Sequence, residues 1–293
     1  MVFMRLRLAH STSADLRAWT GLSGPQMQHL VGQLWELAPD AGRGRPWALL
    51  FTDRVLLVVL AYRTNLTMQQ LGSLFGISHA AAHRVINRLA GPLAQLLGPP
   101  PADRRGLWVV DGTLIPVHDQ RRSAKSKNYR RSVNVQIVCR ARDRRVVAVG
   151  DAWPGNRNDV IVFRETLGRT LPDHPRLSGD GGYRGSDRIR TPRRGPDGRI
   201  IKDRNYRRFR KRRAVAEHTI ARLKDHQILR QCRRAATRLT TPSPASPHST
   251  TSRSTSGRRA IHRGEARPGP HYVMALSRGF PGRRPPRPPP RDP

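Results

Sequence analysis

The sequence predicts an all-α domain over residues 1–100, an α/β domain over 101–235, and a tail over 236–293 that belongs to neither. Three observations carry this division. Apolar residues recur at helical spacing before residue 100, short β-branched runs replace them after Leu107, and the composition breaks sharply near Ala236.

In the first domain, Met27, Leu30, Val31, Leu34 and Leu37 fall on one helical face, with Ser23 as N-cap and Pro25 in the first turn. A basic loop, Gly42 to Pro46, leads to a second helix that begins at Thr52 or Asp53 and runs through Tyr62. The stretch Leu66 to Leu89 then reads as two helices around a turn. Thr67 caps the first, which carries Leu71 and Phe75; Gly76 supplies the turn; Ser78 caps the second, whose Ala82, Val85, Ile86 and Leu89 face inward. This is the pattern of a DNA-binding helix-turn-helix, although a tight helical hairpin used only for packing has the same signature. In the DNA-binding reading Ser78, His79, Ala80, His83, Arg84 and Asn87 lie on or near the exposed face, and the small Ala80 and Ala81 argue against strong base readout. Gly98 to Gly106, rich in proline, is a linker by composition.

From Leu107 the period is that of strands. Leu107–Val117, Val133–Ala141 and Arg145–Trp153 suggest an antiparallel meander, with a turn at Ala141 to Arg144. The connection Gln120 to Ser132 is polar and basic, with Lys125, Lys127, Tyr129, Arg130 and Arg131. Pro154 to Asp159 is a turn, Val160 to Leu167 a helix, and Leu177 to Asp180 a short fourth strand running into Gly181-Gly182-Tyr183. Arg184 to Arg213 is weakly patterned and reads as loop with short helical pieces; Ala214 to Leu229 reads as a helix.

The tail is Ser/Thr/Pro-rich from Thr237 to Ser256 and Pro/Arg-rich from Pro281 to Pro293, and neither part can bury enough apolar surface to order itself. Back-translated and read one base earlier, with GC-leaning wobble choices, Ala236 to Ser252 can spell an amphipathic helix continuing the preceding one. A frameshift near residue 235 is therefore the hypothesis for the break, and sequencing the gene settles it.

The 293 residues carry 55 Lys plus Arg against 20 Asp plus Glu, a formal net charge of +35. Such a surplus repels itself unless a polyanion neutralises it, and nucleic acid is the first candidate. A basic tail on an unrelated domain is the plainer alternative. The excess of arginine over lysine, with abundant Ala, Gly and Pro, also fits a GC-rich genome. Cys139 and Cys232 form no Cys-x-x-Cys pair, which argues against a zinc ribbon or a disulfide framework and for free thiols. The longest apolar stretch, Val55 to Ala61, is too short to span a membrane, and no secretory signal opens the chain. A cytoplasmic protein without a membrane partner is expected.

Three acidic residues stand out: Asp111 at the end of an apolar run, Asp180 at the end of another, and Glu217 on a later helix. Carboxylates at strand ends and on a following helix can converge, and two divalent cations held by carboxylates suit phosphodiester chemistry. Spacing alone makes this weak. Context strengthens it: Val109-Val110-Asp111-Gly112-Thr113, then Pro154-Gly155-x-x-Asn158-Asp159, then Gly179-Asp180-Gly181-Gly182-Tyr183-Arg184-Gly185, then Arg213-x-x-x-Glu217 followed by Leu223-Lys224. Together these motifs, in this order, resemble the DDE transposases of the IS5-like insertion-sequence group, over roughly residues 20 to 235.

The resemblance implies an RNase H-like catalytic domain behind the helix-turn-helix domain. It implies binding to double-stranded DNA, both element ends (terminal inverted repeats) and target, as a homo-oligomer associated with the bacterial nucleoid. It also implies strand cleavage and transfer with Mg²⁺ or Mn²⁺, two ions. Position by position, Asp111, Asp180 and Glu217 match the metal-binding catalytic triad. Asp159 matches a motif position or caps the helix at Val160; both readings stand. Lys125, Lys127, Arg130, Arg184, Arg213 and Lys224 are candidate DNA contacts beside Ser78, His79, His83, Arg84 and Asn87. Tyr183 can serve DNA positioning or core packing equally, the Arg207 to Arg213 run is a DNA track or a solvated face, and His118 with Asp119 fits a solvated turn. His218 points about 100° around the helix from Glu217 and is no co-ligand. Because the tail replaces the apolar helix expected after Glu217, that residue is expected to be poorly held. The alternative function is a non-catalytic DNA-binding protein or an inactive remnant.

Overall fold

The computed structural model describes residues 6–40, 45–101, 105–121 and 123–233; the readings for the basic loop over 42–44 and for the tail from residue 234 on fall outside them. The first part is built from α1 (Ser13–Thr20), α2 (Gly24–Leu37), α3 (Phe51–Thr64), α4 (Met68–Phe75) and α5 (His79–Gln95). α3 is the helix the others surround: every residue from Asp53 to Tyr62 is buried. Two charges go down with it, each paired. Asp53 accepts hydrogen bonds from Arg7 Nη1 (2.9 Å) and the Leu8 amide (2.8 Å), while Arg54 pairs with Asp40 and lies over the rings of Trp47 and Phe51. A buried charge without such partners would cost several kcal/mol.

The α4–turn–α5 unit follows its sequence signals closely. Thr67 and Gln70 form a reciprocal capping box, Gly76 takes the left-handed conformation (φ 67°) that ends α4, and the Ser78 hydroxyl accepts from the Ala81 amide to start α5. Gly72 sits where the helices come closest, for a Cβ there would lie 2.6 Å from the Ile77 carbonyl oxygen.

The second part is a sheet of five strands, β1 (Trp108–Pro116), β2 (Ser132–Arg140), β3 (Arg145–Val149), β4 (Trp153–Pro154) and β5 (Leu177–Ser178). β1, β2 and β3 form the antiparallel meander read from the sequence, β4 pairs with β2, and β5 joins the other edge of β1 in parallel. An antiparallel meander with a parallel strand beside its first member is the RNase H-like arrangement. α6 (Asp159–Glu165) and α7 (Leu167–Thr170) cover one face, where Phe163 and Leu167 meet Trp108, Val110 and Val138. α8 (Arg204–Leu223) covers the other, where Val215 and Ala216 meet Val109 and Cys139. The alternation of β1 therefore sends Val110 to the α6 face and Val109 and Asp111 to the α8 face.

The run expected as one strand over Arg145–Trp153 breaks into β3 and β4, the helix expected over Val160–Leu167 ends at Glu165, and the largest departures are the two ends of α8. α8 begins at Arg204, not Ala214, because the Asp203 carboxylate caps it by accepting from the Tyr206 amide; the helix runs through a stretch whose charge hides any apolar period. It ends at Leu223 rather than Leu229, and a 3₁₀ turn over Gln227–Leu229 follows. The chain then returns to β1, where the Cys232 amide donates to the Pro116 carbonyl at 2.8 Å. Leu223, Ile228, Leu229 and Cys232 join the helical part and the inner residues Ile115, Val117 and Val133 of the sheet in one apolar core.

Substituting Gly72 by Ala forces a methyl group against backbone, a clash of the overpacking kind that costs about 1–3 kcal/mol. The expected outcome is a lower thermal midpoint, read by circular dichroism, with Ser73→Ala on the exposed side of α4 as the neutral control.

Candidate active site

Asp111 is delivered at the fourth residue of β1, pointing under α8. Its side chain is 17% exposed, and its Oδ1 accepts the amide of Gly112 at 3.1 Å. Burial pushes its pKa up to about 6; the charge of Arg213 opposes that shift, and those of Asp180 and Asp159 reinforce it. The first two strand-borne acids predicted from sequence thus feel one another, as expected from β5 lying directly beside β1.

Asp180 follows β5 by two residues and is the N-cap of a 3₁₀ turn over Gly181–Tyr183, accepting the Gly182 amide at 2.8 Å. Asp159 comes from the opposite side of the sheet. It is the first residue of α6 and makes no cap; Asn158 holds the N-cap position without a side-chain bond. Its Oδ1 instead accepts from Asn134 Nδ2 (2.8 Å) and Gln136 Nε2 (2.9 Å), two buried amides of β2. The close approach requires two glycines. A Cβ at Gly112 would stand 2.3 Å from Asp159 Oδ1, and one at Gly182 would stand 2.9 Å from Asp180 Oδ1 and 3.4 Å from Asp159 Oδ2. The helix-cap reading of Asp159 is therefore replaced by that of an inward acid. Tyr183 resolves in the same network: it is buried, and its hydroxyl donates to Gln136 Oε1. It serves the core and not the surface.

Glu217 is over half exposed on α8, one turn after Arg213. The Arg213 guanidinium pairs with Glu217 through Nη2 and reaches Asp111 Oδ2 at 3.7 Å through Nη1. Glu217 is thus tied to Asp111 through a cation. Among the described residues no three His, Cys, Asp or Glu side chains are grouped closely enough to hold a metal ion. The donor chemistry nonetheless fits a hard divalent cation: the groups are carboxylate oxygens, and the charges of Asp180 and Asp159 add to the effect of burial on Asp111. Arg213 partly offsets them.

Other candidates distribute as follows. Lys125, Lys127 and Arg184 rim a cleft that reaches Asp159 and Gly182, joined by Arg157, which the sequence reading passed over. Arg130 is exposed in the same connection as Lys125 but outside the cleft lining. Lys224 caps the C-terminal end of α8, where burial and then Arg230 lower its pKa. On α5, Ser78, His79, Ala80 and Arg84 are exposed and His83 and Asn87 half-buried, with Asn87 Nδ2 3.2 Å from the His83 ring. His118 meets the Gln231 side chain at 3.0 Å, so it belongs to the contact between β1 and the returning chain. Both cysteines are buried thiols outside any disulfide among the described residues, and burial pushes the Cys139 thiol up to about 12, which leaves it inert.

This geometry can be set beside known proteins. Residues 103–241 match the model of the transposase DDE domain, and residues 47–99 match the helix-turn-helix of DDE superfamily endonuclease. A protein of Streptomyces albus G described as a transposase for insertion sequence element IS112 is 40% identical over 222 residues, covering 73% of this chain and 85% of that protein. The chain belongs to the DDE transposases of insertion sequences. A protein of Microchaete diplosiphon described as a transposase for insertion sequence element IS702 is 26% identical over 208 residues, covering 64% of this chain and 74% of its own length. The family model for the DDE domain takes in β1, β5 and α8, the three elements that carry Asp111, Asp180 and Glu217, and DDE domains generally use divalent metal ions.

A raised carboxylate pKa is a stability statement. Asp111 holds its proton up to about 6 in the fold against an ordinary value of 3.8, so its stabilising effect is complete below pH 3.8 and is lost as pH rises through 6. At pH 7 without metal, Asp111→Asn is therefore expected to stabilise the transposase by roughly 2–3 kcal/mol, with no gain near pH 3.5. Urea unfolding at the two pH values reads the difference; equal gains at both would contradict the burial cause.

Proposed function

We propose that this transposase binds the terminal inverted repeats of its element through α5 and cleaves and transfers DNA strands at Asp111, Asp180 and Glu217. The observation that carries the reading is the parallel register of β5 on β1, which leads Asp180 out beside the middle of the strand that carries Asp111, with α8 linking Glu217 to Asp111 through Arg213. Two Mg²⁺ or Mn²⁺ ions held by these carboxylates would stabilise charge on the attacking and leaving oxygens of the phosphodiester. The chain's own residues do the rest. Asp111 is fixed by its strand and by the Gly112 amide, so it offers Oδ2 without a rotamer search. Asp180 is fixed by the Gly182 amide, and Asp159 stiffens the strand ends from behind through Asn134 and Gln136. To help hold a metal ion, Glu217 would have to release Arg213, whose guanidinium would then be available to a DNA phosphate.

The finer assignments belong to the same reading. The division is a DNA-binding domain over residues 1–100, a catalytic domain over 101–235, and a frameshifted tail from 236. The element is IS5-like. Ser78, His79, His83, Arg84 and Asn87 meet the duplex on α5; Lys125, Lys127, Arg130, Arg184, Arg213 and Lys224 track it near the acids. The acting species is a homo-oligomer assembled on DNA in the bacterial cytoplasm, and among the described residues no helix is long and apolar enough to cross a membrane. The second reading, a DNA-binding protein that does not cleave, is favoured by one observation: Arg213 already pairs with both Asp111 and Glu217.

The two readings separate in a nicking assay on duplexes bearing the element ends. Wild type is expected to cleave with Mg²⁺ and not with EDTA, and Asp111→Ala or Asp180→Ala to lower the rate by 10²-fold or more while leaving the gel shift unchanged. Equal DNA binding with no cleavage by wild type in any metal would leave only the second reading.

A further inference from the structure

The N-terminal half of α8 does not pack as its C-terminal half does. Ala216, Thr219 and Leu223 are buried against the sheet and core, but one and two turns earlier the same side of the helix presents Arg212, Phe209 and Arg208. These residues wall a cleft of about 750 Å³ whose other side is the start of β1, with Arg176 before β5 and Arg190 after the Gly-rich turn. The lining contains five arginines and no carboxylate.

This concentration is unusual within the molecule itself. Arg188 and Arg193, on either side of Arg190, are paired with Asp173 and Asp203, and Arg140 and Arg169 are paired with Asp143 and Glu165. By contrast, among the described residues no ion pair holds Arg176, Arg190, Arg208 or Arg212. Arg208 and Arg212 stand one helical turn apart, a like-charge spacing that destabilises a helix unless an anion sits between them. At the floor Phe209 is half-buried beside Leu107 and Val109, so an aromatic face lies among the cations. At one end stands Arg213, which belongs to the cleft lining and also reaches Asp111.

We propose that this cleft binds a single strand of DNA, with its phosphates on Arg176, Arg190, Arg208 and Arg212 and a base against Phe209, and feeds that strand past Arg213 to Asp111. The inference rests on reading the chain as one that handles DNA strands. An aromatic platform within a cationic groove is the combination that binds unpaired strands with little sequence preference. The volume, that of a pocket for a drug-sized ligand, suits a few nucleotides of one strand. The site is separate from the cleft rimmed by Lys125, Lys127 and Arg184, which reaches Asp159 and Gly182 and shares no lining residue with it. A third, smaller cleft, lined by Tyr206, Arg207, Arg210 and Lys211, meets the same Arg213 beside Glu217, but only the one under α8 sets a ring among cations and carries no carboxylate.

The test uses the full chain in EDTA with a fluorescent thymine-rich strand of about eight nucleotides carrying one 5-iodouracil. Irradiation is expected to cross-link the strand to Phe209, mapped by proteolysis and mass spectrometry. A blunt duplex of the same length is expected to leave Phe209 unmodified. Anisotropy titrations over a range of salt give the second readout. Arg208→Ala with Arg212→Ala is expected to weaken strand binding at least tenfold and to flatten the salt dependence by about 1–1.5 in log–log slope, while the gel shift of an element-end duplex persists. Phe209→Ala is expected to weaken it roughly 5- to 100-fold with the slope unchanged. Cross-links confined to residues outside 176–213, an equal Phe209 cross-link from the duplex, or wild-type affinity and slope in both variants would overturn the proposal. The cross-link is read on wild type, so the proposal stays exposed even where a variant fails to fold. Nicking by wild type without the Phe209 cross-link would sink this inference alone; the cross-link without nicking would sink the transposition reading alone.

Discussion

The structure turns on the placement of one carboxylate. Asp111 is carried on a strand with neighbours on both edges, is largely covered by α8, and stands near two more acids. A buried negative charge in that position is tolerable only if positive charge is brought to it, and here Arg213 does so from the helix above. That requirement fixes the relation of α8 to β1. Ala216 and Val215 set the helix close enough to the sheet for a side chain one turn earlier to reach Asp111, and the same turn of helix projects Glu217 alongside. Packing and charge on the sheet-facing side of α8 are a single constraint, because moving the helix would release both.

The anchoring of α8 bears on whether its acid is usable. The sequence reading expects Glu217 to be loosely held, since the apolar helix that should follow it is absent from the written chain. Within the described residues the hold is nonetheless substantial. Leu223 is buried at the end of α8, Ile228 and Leu229 are buried in the turn beyond it, and Cys232 pairs with the far end of β1. Asn65 adds a tie from the helical part by donating to the Gln231 carbonyl at 2.8 Å. What keeps Glu217 from Asp111 in this structure is therefore not slack in the helix but the guanidinium between them.

Much of the fold was legible because its signals are local. The caps at Thr67 and Ser78, the turn glycine at Gly76 and the β-branched alternation of β2 are each contained in a few adjacent residues. The three acids were singled out only through motif context, for an acid next to an apolar run looks like any solvated acid until its neighbours in space are known. The rest was hidden for identifiable reasons. The first ten residues of α8 are dominated by arginine, so their period is carried by charge and a hydrophobic reading passes over them; the cue available was Asp203 as an N-cap. The inward turn of Asp159 depends on two glycines, at 112 and 182, that only the fold brings beside it. Arg213 was noticed as a phosphate contact, and its hold on two acids needs the distance between strand and helix, which no sequence window contains.

Those observations give the arginine-rich half of α8 a physical reading different from that of a solvated face. A solvated face disperses its charges toward water and gains nothing from an enclosed aromatic ring. Here Arg208 and Arg212 turn toward a cleft with Phe209 at its base, and carboxylates elsewhere neutralise the arginines on either side of Arg190. Retaining like charges side by side without carboxylates costs free energy in the unliganded protein, even with the guanidinium groups exposed to water. A polyanionic ligand converts that cost into affinity. It would also weaken the grip of Arg213 on the acids by offering the guanidinium a phosphate, so filling the cleft and freeing Asp111 and Glu217 for a metal would be coupled steps. On that account Arg213 holds the acids apart until the strand that needs them arrives.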